Sequence, residues 1–184
     1  MSASAFATVP MLKTGYSKAE VDEFFEVAKA AYEGRSAEAV TAATIQATTF
    51  ELVRGGYETH EVDAALDRLE AAFVAKQRAA FVATHGQQAW MAALADRART
   101  LYPRLGRPDG AKFAPPVRGQ QGYKASEVDA LCARLVGYFD RHEPITSAQV
   151  RAAAFSPAKG AGAYAEGPVD AFFARAVEVL LGVE

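Results

Sequence analysis

The sequence predicts an all-α protein made of tandem duplicated helical repeats, with two pairs of loop-plus-amphipathic-helix motifs and one long central helix. Three observations support this fold class. Alanine, the residue with the highest helix propensity, supplies 41 of the 184 residues. The motif Tyr-x4-Val-Asp occurs four times. Apolar residues recur at intervals of three and four residues after each copy, which is typical of an amphipathic helix.

Each copy of the motif predicts the start of a helix. A glycine precedes the tyrosine in the first three copies and permits a close backbone approach, whereas the fourth copy has Ala163 at this position. The aspartate falls in the first helical turn, where a negative charge is favourable. The residues of the four copies are Gly15, Tyr16, Val21 and Asp22; Gly56, Tyr57, Val62 and Asp63; Gly122, Tyr123, Val128 and Asp129; and Tyr164, Val169 and Asp170.

The spacing of the copies indicates that the chain is a duplicated pair. The two tyrosines of the first pair are 41 residues apart, and so are Tyr123 and Tyr164 of the second pair. A second string, Thr-x3-(Ile/Val)-x4-Phe, occupies residues 41–50 and 146–155, upstream of the second and fourth copies. Similarity at a fixed period is the sequence signature of repeat proteins.

The first helix is predicted to begin after Tyr16 and to end near Gly34, because glycine is a common helix stop. Ser17 and Glu20 have the spacing of a capping box, in which each side chain bonds a backbone N–H at the helix start. The apolar stripe of this helix consists of Val21, Phe24, Phe25, Ala28 and Tyr32.

The longest helical stretch is predicted in the middle of the chain. It begins near Glu61, pauses at His85 and Gly86, and resumes until Pro103. Trp90 lies at helical spacing from the other apolar positions, which favours a core role over an intermolecular contact. The apolar positions of this stretch are Val62, Leu66, Leu69, Phe73, Ala80, Trp90, Leu94, Ala98 and Leu101.

The segment 103–122 is predicted to be a linker, because it contains four prolines and four glycines, which suit neither a helix interior nor a sheet. The predicted organisation is therefore a first repeat pair with the central helix at 1–102, the linker at 103–122 and a second repeat pair at 123–184. The stripes of the third and fourth helices are Val128, Leu131, Cys132, Leu135 and Phe139, and Val169, Phe172, Phe173, Ala176 and Leu180.

Composition and spacing disfavour most kinds of chemistry. A net charge of −2 and a pI near 6.0 provide no basic field for nucleic acid. His60, His85 and His142 lie at no metal-ligand spacing from one another or from Cys132, the single cysteine. No nucleophile motif is present, and the aspartates suit helix starts better than acid–base pairs. We therefore predict no catalysis, metal, cofactor or small-molecule substrate.

The four motif tyrosines and the basic residues allow two interpretations each. A tyrosine just before a helix more often packs onto the core than forms a partner surface. The basic residues of the predicted linker could be solvated, or could contact an acidic partner or anionic lipid. The N-terminal sequence has no basic, apolar export signal, which predicts a cytoplasmic location.

The second motif copy, from Ile45 through Phe73, has a turn carrying Phe50, a Gly-Tyr-x4-Val-Asp helix start and a Leu-rich amphipathic helix. This arrangement resembles the N-terminal domain of DivIVA-type cell-division and polarity scaffolds of the actinobacterial type. The resemblance implies a helical, coiled-coil-forming scaffold or adaptor in bacterial division or polar growth, located at the septum or cell pole on the cytoplasmic membrane face. It also implies protein partners or self-association. The alternative is a helical protein-binding regulatory module unrelated to division.

The family carries an exposed aromatic residue followed by arginine just before Gly-Tyr, where the pair can contact lipid. The present sequence has no aromatic residue at these positions in any copy, so membrane contact is predicted to be weak and to rest on basic residues. The candidate contacts to anionic lipid or a partner are Lys13, Arg54, Arg104, Arg107, Lys112 and Arg118.

Overall fold

The computed structural model of the chain describes residues 6–36 and 40–184. These residues are mostly helical, as predicted, but the all-α class is not confirmed, because they also form two small antiparallel sheets. The strands were not predicted from the sequence, because each has only two or three residues, which is too short for an alternating pattern. The chain divides into two compact units, residues 1–79 and 80–184.

The first unit contains two short strands and three helices, the last of which continues into the second unit. The strands pair antiparallel, with Gly15 opposite Val53. In chain order the elements are β1 (Thr14–Tyr16), α1 (Lys18–Tyr32), α2 (Ala42–Gln46), β2 (Leu52–Arg54) and α3 (Thr59–His85).

The second unit has a three-stranded antiparallel sheet in which the central strand carries the third motif copy. A 3-10 turn at Gly160–Gly162 precedes the last strand. The elements are α4 (Gln87–Arg99), α5 (Tyr102–Leu105), β3 (Gly122–Lys124), α6 (Ala125–Arg141), α7 (Ser147–Arg151), β4 (Pro157–Ala158), β5 (Ala163–Tyr164) and α8 (Glu166–Val183).

The helix boundaries follow local signals, with one correction at the start of α1. The Ser17 side chain makes no capping hydrogen bond. The Glu20 carboxylate instead accepts a hydrogen bond from the Glu51 backbone N–H at 2.8 Å, so it bonds a distant loop rather than its own helix start. Full capping boxes begin α2 at Thr41 and α7 at Thr146, within the repeated Thr-x3-(Ile/Val)-x4-Phe string.

Each unit has its own apolar core. In the first unit, Val21, Tyr57 and Val62 are buried together. Aromatic and aliphatic side chains from the flanking elements surround them, namely Phe6, Tyr16, Phe25, Phe50 and Leu66. In the second unit, the buried Trp90 donates its indole N–H to the Gly182 carbonyl at 2.9 Å. Trp90 is therefore a core residue of the second unit.

The observed units do not coincide with the predicted ranges. The division falls inside α3, so α4 belongs to the second unit rather than to the first repeat pair. The segment 103–122 is packed against this unit, since the buried Phe113 ring lies 5.2 Å from the Tyr164 ring and 5.5 Å from the Phe172 ring. Proline and glycine here shape a packed loop.

Candidate interaction surfaces

The two motif copies in each unit pair with each other through their backbones. In the first unit, the Tyr16 N–H donates to the Tyr57 carbonyl at 3.0 Å, and the Tyr57 N–H donates back to the Tyr16 carbonyl at 2.8 Å. In the second unit, Tyr123 is the antiparallel partner of Tyr164. Each pair of helix starts is therefore joined at its tyrosines.

The tyrosine of each copy also reaches the aspartate of the other copy. The Tyr57 hydroxyl donates to the Asp22 carboxylate at 3.0 Å. In the opposite direction, burial raises the pKa of Tyr16, and the charge of Asp63 and a hydrogen bond to it raise this pKa further. Asp22 and Asp63 thus serve as acceptors between copies, a role that was not predicted for them from the sequence.

The same reciprocal contacts occur in the second unit with deeper burial. The Tyr164 hydroxyl donates to Asp129 at 2.9 Å. In the opposite direction, burial raises the pKa of Tyr123, and the charge of Asp170 and a hydrogen bond to it raise this pKa further. The pKa of Tyr164 is raised to about 12, chiefly by burial and against a lowering hydrogen bond from the Lys112 N–H. Tyr164 therefore remains a protonated donor at neutral pH.

The glycine before the motif tyrosine lies where the backbones of two paired copies cross, and there is no room for a Cβ atom at this crossing. A Cβ atom added at Gly15 would lie 2.2 Å from the Tyr57 carbonyl oxygen, and one at Gly122 would lie 2.1 Å from that of Tyr164. Separations below about 3.0 Å do not occur for real Cβ atoms. Only one side of the second crossing has this requirement, because Ala163 replaces the fourth glycine there.

We expect Gly122→Ala to destabilise the second unit by about 2–3 kcal/mol, because the added methyl group forces the two tyrosine backbones apart. Gly162→Ala is the matched control, since nothing lies within 4 Å of a Cβ at that position. Urea denaturation followed by Trp90 fluorescence would measure both variants. Equal midpoints for Gly122→Ala and the unsubstituted protein would contradict the crossing geometry.

Asp129 links the second motif pair to the packed segment. Asp129 is 5% exposed, and its carboxylate accepts a hydrogen bond from the Gly110 N–H at 2.7 Å, in addition to that from Tyr164. The Lys112 N–H donates to the Tyr164 hydroxyl at 3.1 Å. These bonds explain why the proline- and glycine-rich segment is ordered against the unit.

Lys112 was one of the candidate contacts to lipid or a partner, and its side chain is instead used within the segment. It is buried, its ammonium group donates to the Arg107 carbonyl at 2.6 Å, and it pairs with Asp109 at 3.1 Å. The Arg104 guanidinium lies 4.7 Å from the centre of the Phe113 ring and is half-buried. Among the basic candidates in 103–122, Lys112 and Arg104 therefore make contacts within the packed segment.

The remaining basic candidates are exposed, and two of them lie in an exposed apolar surface of the first unit that we call the β1–β2 tip. Met11 and Leu12 are 74% and 92% exposed, and Met11 lies against Gly55, next to Arg54. Lys13 and Arg54 flank them and are also exposed. Met11 and Leu12 were not among the predicted contacts, because the lipid-contact positions of the family lie directly before Gly-Tyr. Two large apolar residues beside Lys13 were nevertheless a visible signal in the sequence.

A second surface feature of the first unit is a groove of about 590 Å³ between α1 and the loop before β2. Its floor is apolar and its rim is acidic. Phe24 and Phe50, with ring centres 5.8 Å apart, are only half-buried in the floor. The groove is lined by Glu20, Glu23, Phe24, Val27, Thr48, Thr49, Phe50 and Glu51.

Cys132 is fully buried, and its thiol pKa is raised to about 12, chiefly by burial. A thiol with this pKa remains neutral at pH 8, where roughly one molecule in ten thousand carries the reactive thiolate. We expect Cys132 in the folded protein to resist a thiol-specific disulfide reagent at pH 8 and to react rapidly after denaturation. Comparable rates in the folded and denatured protein would contradict this assignment.

The described residues thus offer two surfaces in the first unit, the β1–β2 tip and the groove, and a buried polar cluster around Asp129 in the second. No His, Cys, Asp and Glu side chains among residues 6–36 and 40–184 are grouped so as to hold a metal ion. Every helix in the described ranges is too short or too polar to cross a membrane. Comparison of the chain with protein families, curated proteins and solved structures found no match.

Proposed function

We propose that this chain is a non-catalytic cytoplasmic scaffold or adaptor of the DivIVA-repeat type, acting in bacterial cell division or polar growth. The observation that supports the repeat assignment is the reciprocal pairing of the motif copies, because Tyr57 with Asp22 and Tyr164 with Asp129 make the same contact in the two units. The fold that we propose is a tandem duplication in which each unit holds one pair of loop-plus-helix motifs. The resemblance noted above supplies the link to division and polarity.

The use of the polar side chains supports a scaffold rather than an enzyme. A cavity of about 610 Å³ in the second unit is lined by Asp109, Lys124 and Asp129, together with small residues such as Ala130, Ala133 and Gly162. Asp109 pairs with Lys112 and Lys124 pairs with Glu127, each at 3.1 Å. The Asp129 carboxylate already accepts hydrogen bonds from Tyr164 and from the backbone at residue 110. Catalytic sites instead require titratable groups that converge on a space for the substrate.

The β1–β2 tip supports a location at the cytoplasmic membrane face. Exposed apolar side chains next to basic ones can enter the headgroup region of a bilayer and attract anionic lipid. In the tip, Met11 and Leu12 would supply the apolar contact, while Lys13 and Arg54 would supply the positive charge. We therefore propose that a weak membrane contact forms through these residues of the first unit.

The test is the position of a fluorescent fusion in the native host, where we expect the signal at the septum or cell pole. The variant Met11→Ser/Leu12→Ser should weaken this localisation, and binding of the purified protein to vesicles containing anionic lipid should fall with it. Met91→Ser is a matched control, because Met91 is 44% exposed in the other unit and belongs to neither candidate surface. A uniformly diffuse signal from the unsubstituted fusion would count against the division role.

A helical protein-binding module unrelated to division is the second candidate. The groove between α1 and the loop before β2 favours it, since an aromatic floor with an acidic rim can bind a basic peptide without any link to the septum. Purification from the native host with partners outside division and growth, together with a diffuse fusion signal, would support this alternative.

A further inference from the structure

The groove of the first unit combines an apolar floor with acidic side chains on its rim, two of which the fold does not require. Its floor is formed by Phe24, Val27 and Phe50, each half-buried, and its rim includes the exposed carboxylates of Glu23 and Glu51. Within residues 6–36 and 40–184, neither of these two carboxylates makes a hydrogen bond or ion pair. They are therefore available to a ligand.

Comparison with the second unit shows which acidic residue of the groove rim contributes to the fold of a motif pair. Glu127 occupies the position of Glu20, four residues after the motif tyrosine, and accepts the backbone N–H of Ser156 at 2.7 Å, as Glu20 accepts that of Glu51. The positions equivalent to Glu23 and Glu51 hold Ala130 and Ser156. The same local fold thus forms without these two carboxylates.

An arginine beside an aliphatic side chain fits this groove. A guanidinium group can bond carboxylates through paired N–H donors and can also stack on an aromatic face. The half-buried rings of Phe24 and Phe50 offer such a face below Glu23 and Glu51, and the aliphatic neighbour would cover Val27. Lysine lacks the planar fork of paired donors and so fits this arrangement less well than arginine.

The chain itself presents such a segment. Val117 is 70% exposed and Arg118 is exposed beside it, directly after Pro115 and Pro116. Proline restricts the backbone and lowers the entropy cost of binding. No acidic residue occurs between Asp109 and Glu127, so the segment carries no charge that would oppose the groove.

The charges of the two units are also complementary. Residues 1–79 contain 8 lysines and arginines and 12 aspartates and glutamates, a net charge of −4. Residues 80–184 contain 12 basic and 10 acidic residues, a net charge of +2. Complementary charge steers association and fixes orientation, so contact of a first unit with the second unit of another copy is favoured over contact of like units.

We infer that the groove of one copy binds Val117 and Arg118 of a second copy, with Arg118 between Glu23 and Glu51 above the phenylalanine rings. Such a contact joins unlike surfaces and can continue from copy to copy, head to tail. The inference deepens the scaffold function, on which its biological meaning rests, by naming the partner as a second copy of the chain.

The test is sedimentation velocity of the purified full-length protein over a range of concentrations. We expect reversible association that weakens at high salt. Glu23→Arg and Arg118→Glu should each weaken it about tenfold or more, because each places like charges at the contact. A mixture of the two variants should associate again, since the unsubstituted segment of one fits the unsubstituted groove of the other.

Glu26→Arg is the matched control, because it makes the same charge change on the exposed side of α1 outside the groove. Circular dichroism should show that all three variants remain folded. A protein that is monomeric at every concentration, an equal effect of Glu26→Arg, or a mixture that fails to associate would each overturn the inference. Septal or polar localisation of a protein that is monomeric in solution would reject the inference while leaving the proposed function intact.

Discussion

Replacing Asp129 with alanine is expected to destabilise the second unit by about 3–4 kcal/mol, because it removes the buried acceptor of two hydrogen bonds. Hydrogen bonds to a charged group contribute about 1.5–3 kcal/mol each, and unpaired buried donors add a desolvation cost. The Tyr164 hydroxyl and the Gly110 N–H would both lose their acceptor. For a unit of this size, the midpoint of thermal unfolding should fall by more than about 10 °C.

The measurement can be restricted to the second unit, because Trp90 is the single tryptophan of the chain and is buried there. Its fluorescence during urea denaturation would report the loss directly. Asp129→Asn should recover part of the stability, since an amide oxygen can still accept. Asp22→Ala is the matched variant in the first unit and would be followed by hydrogen exchange of peptides from α1, because Trp90 lies in the other unit. The exposed Asp22 accepts only from Tyr57 among the described residues, so its loss should cost about 1 kcal/mol. Equal losses at the two aspartates would contradict the difference in burial.

The elements that sequence analysis located well are those with a local signal. The motif copies predicted four helix starts, and α1, α3, α6 and α8 follow them. The pause in the central helix was visible in the sequence as a glycine, and Gly86 adopts φ of 86°, which favours glycine. The buried stripe residue Val128 likewise followed from helical periodicity.

The features that were missed depend on contacts between distant residues. Glu20 has the spacing of a local cap, but its hydrogen bond goes to a loop 31 residues away. Composition predicted a linker at 103–122, and the burial of Phe113 and Lys112 there depends on Tyr164, 51 and 52 residues further on. Periodicity and composition describe neighbours in sequence, so they could not supply these pairings.

The candidate surfaces differ from the predicted ones for a related reason. A basic residue such as Lys112 was chosen by charge, yet the fold places its ammonium group against backbone carbonyls. The groove combines Glu23 of α1 with Phe50 and Glu51 of a later loop. No linear pattern contains this combination, although helical spacing did place Phe24 in the stripe of α1.

Val62→Asp should have the largest effect in the first unit, because it places a carboxylate in the centre of the core. Val62 is 0% exposed and lies with Val21 and Tyr57. An unpaired buried charge costs about 3–5 kcal/mol or more, a large part of the stability expected for a unit of this size. Hydrogen exchange of peptides from α1 would detect the loss as faster exchange, and unchanged protection would show that the packed face of α3 is wrongly assigned.

The dependence of this defect on pH separates buried charge from lost volume. Burial raises the pKa of an aspartate above its unfolded value of about 3.9, so the folded variant binds a proton more tightly than the unfolded one. Relative to the unsubstituted protein, the deficit should be largest at neutral pH and should shrink as the pH falls towards about 4. Val62→Ala should show a smaller deficit without this dependence. Ala64→Asp, on the exposed side of α3, should cost less than about 1 kcal/mol, because the same carboxylate there stays in water.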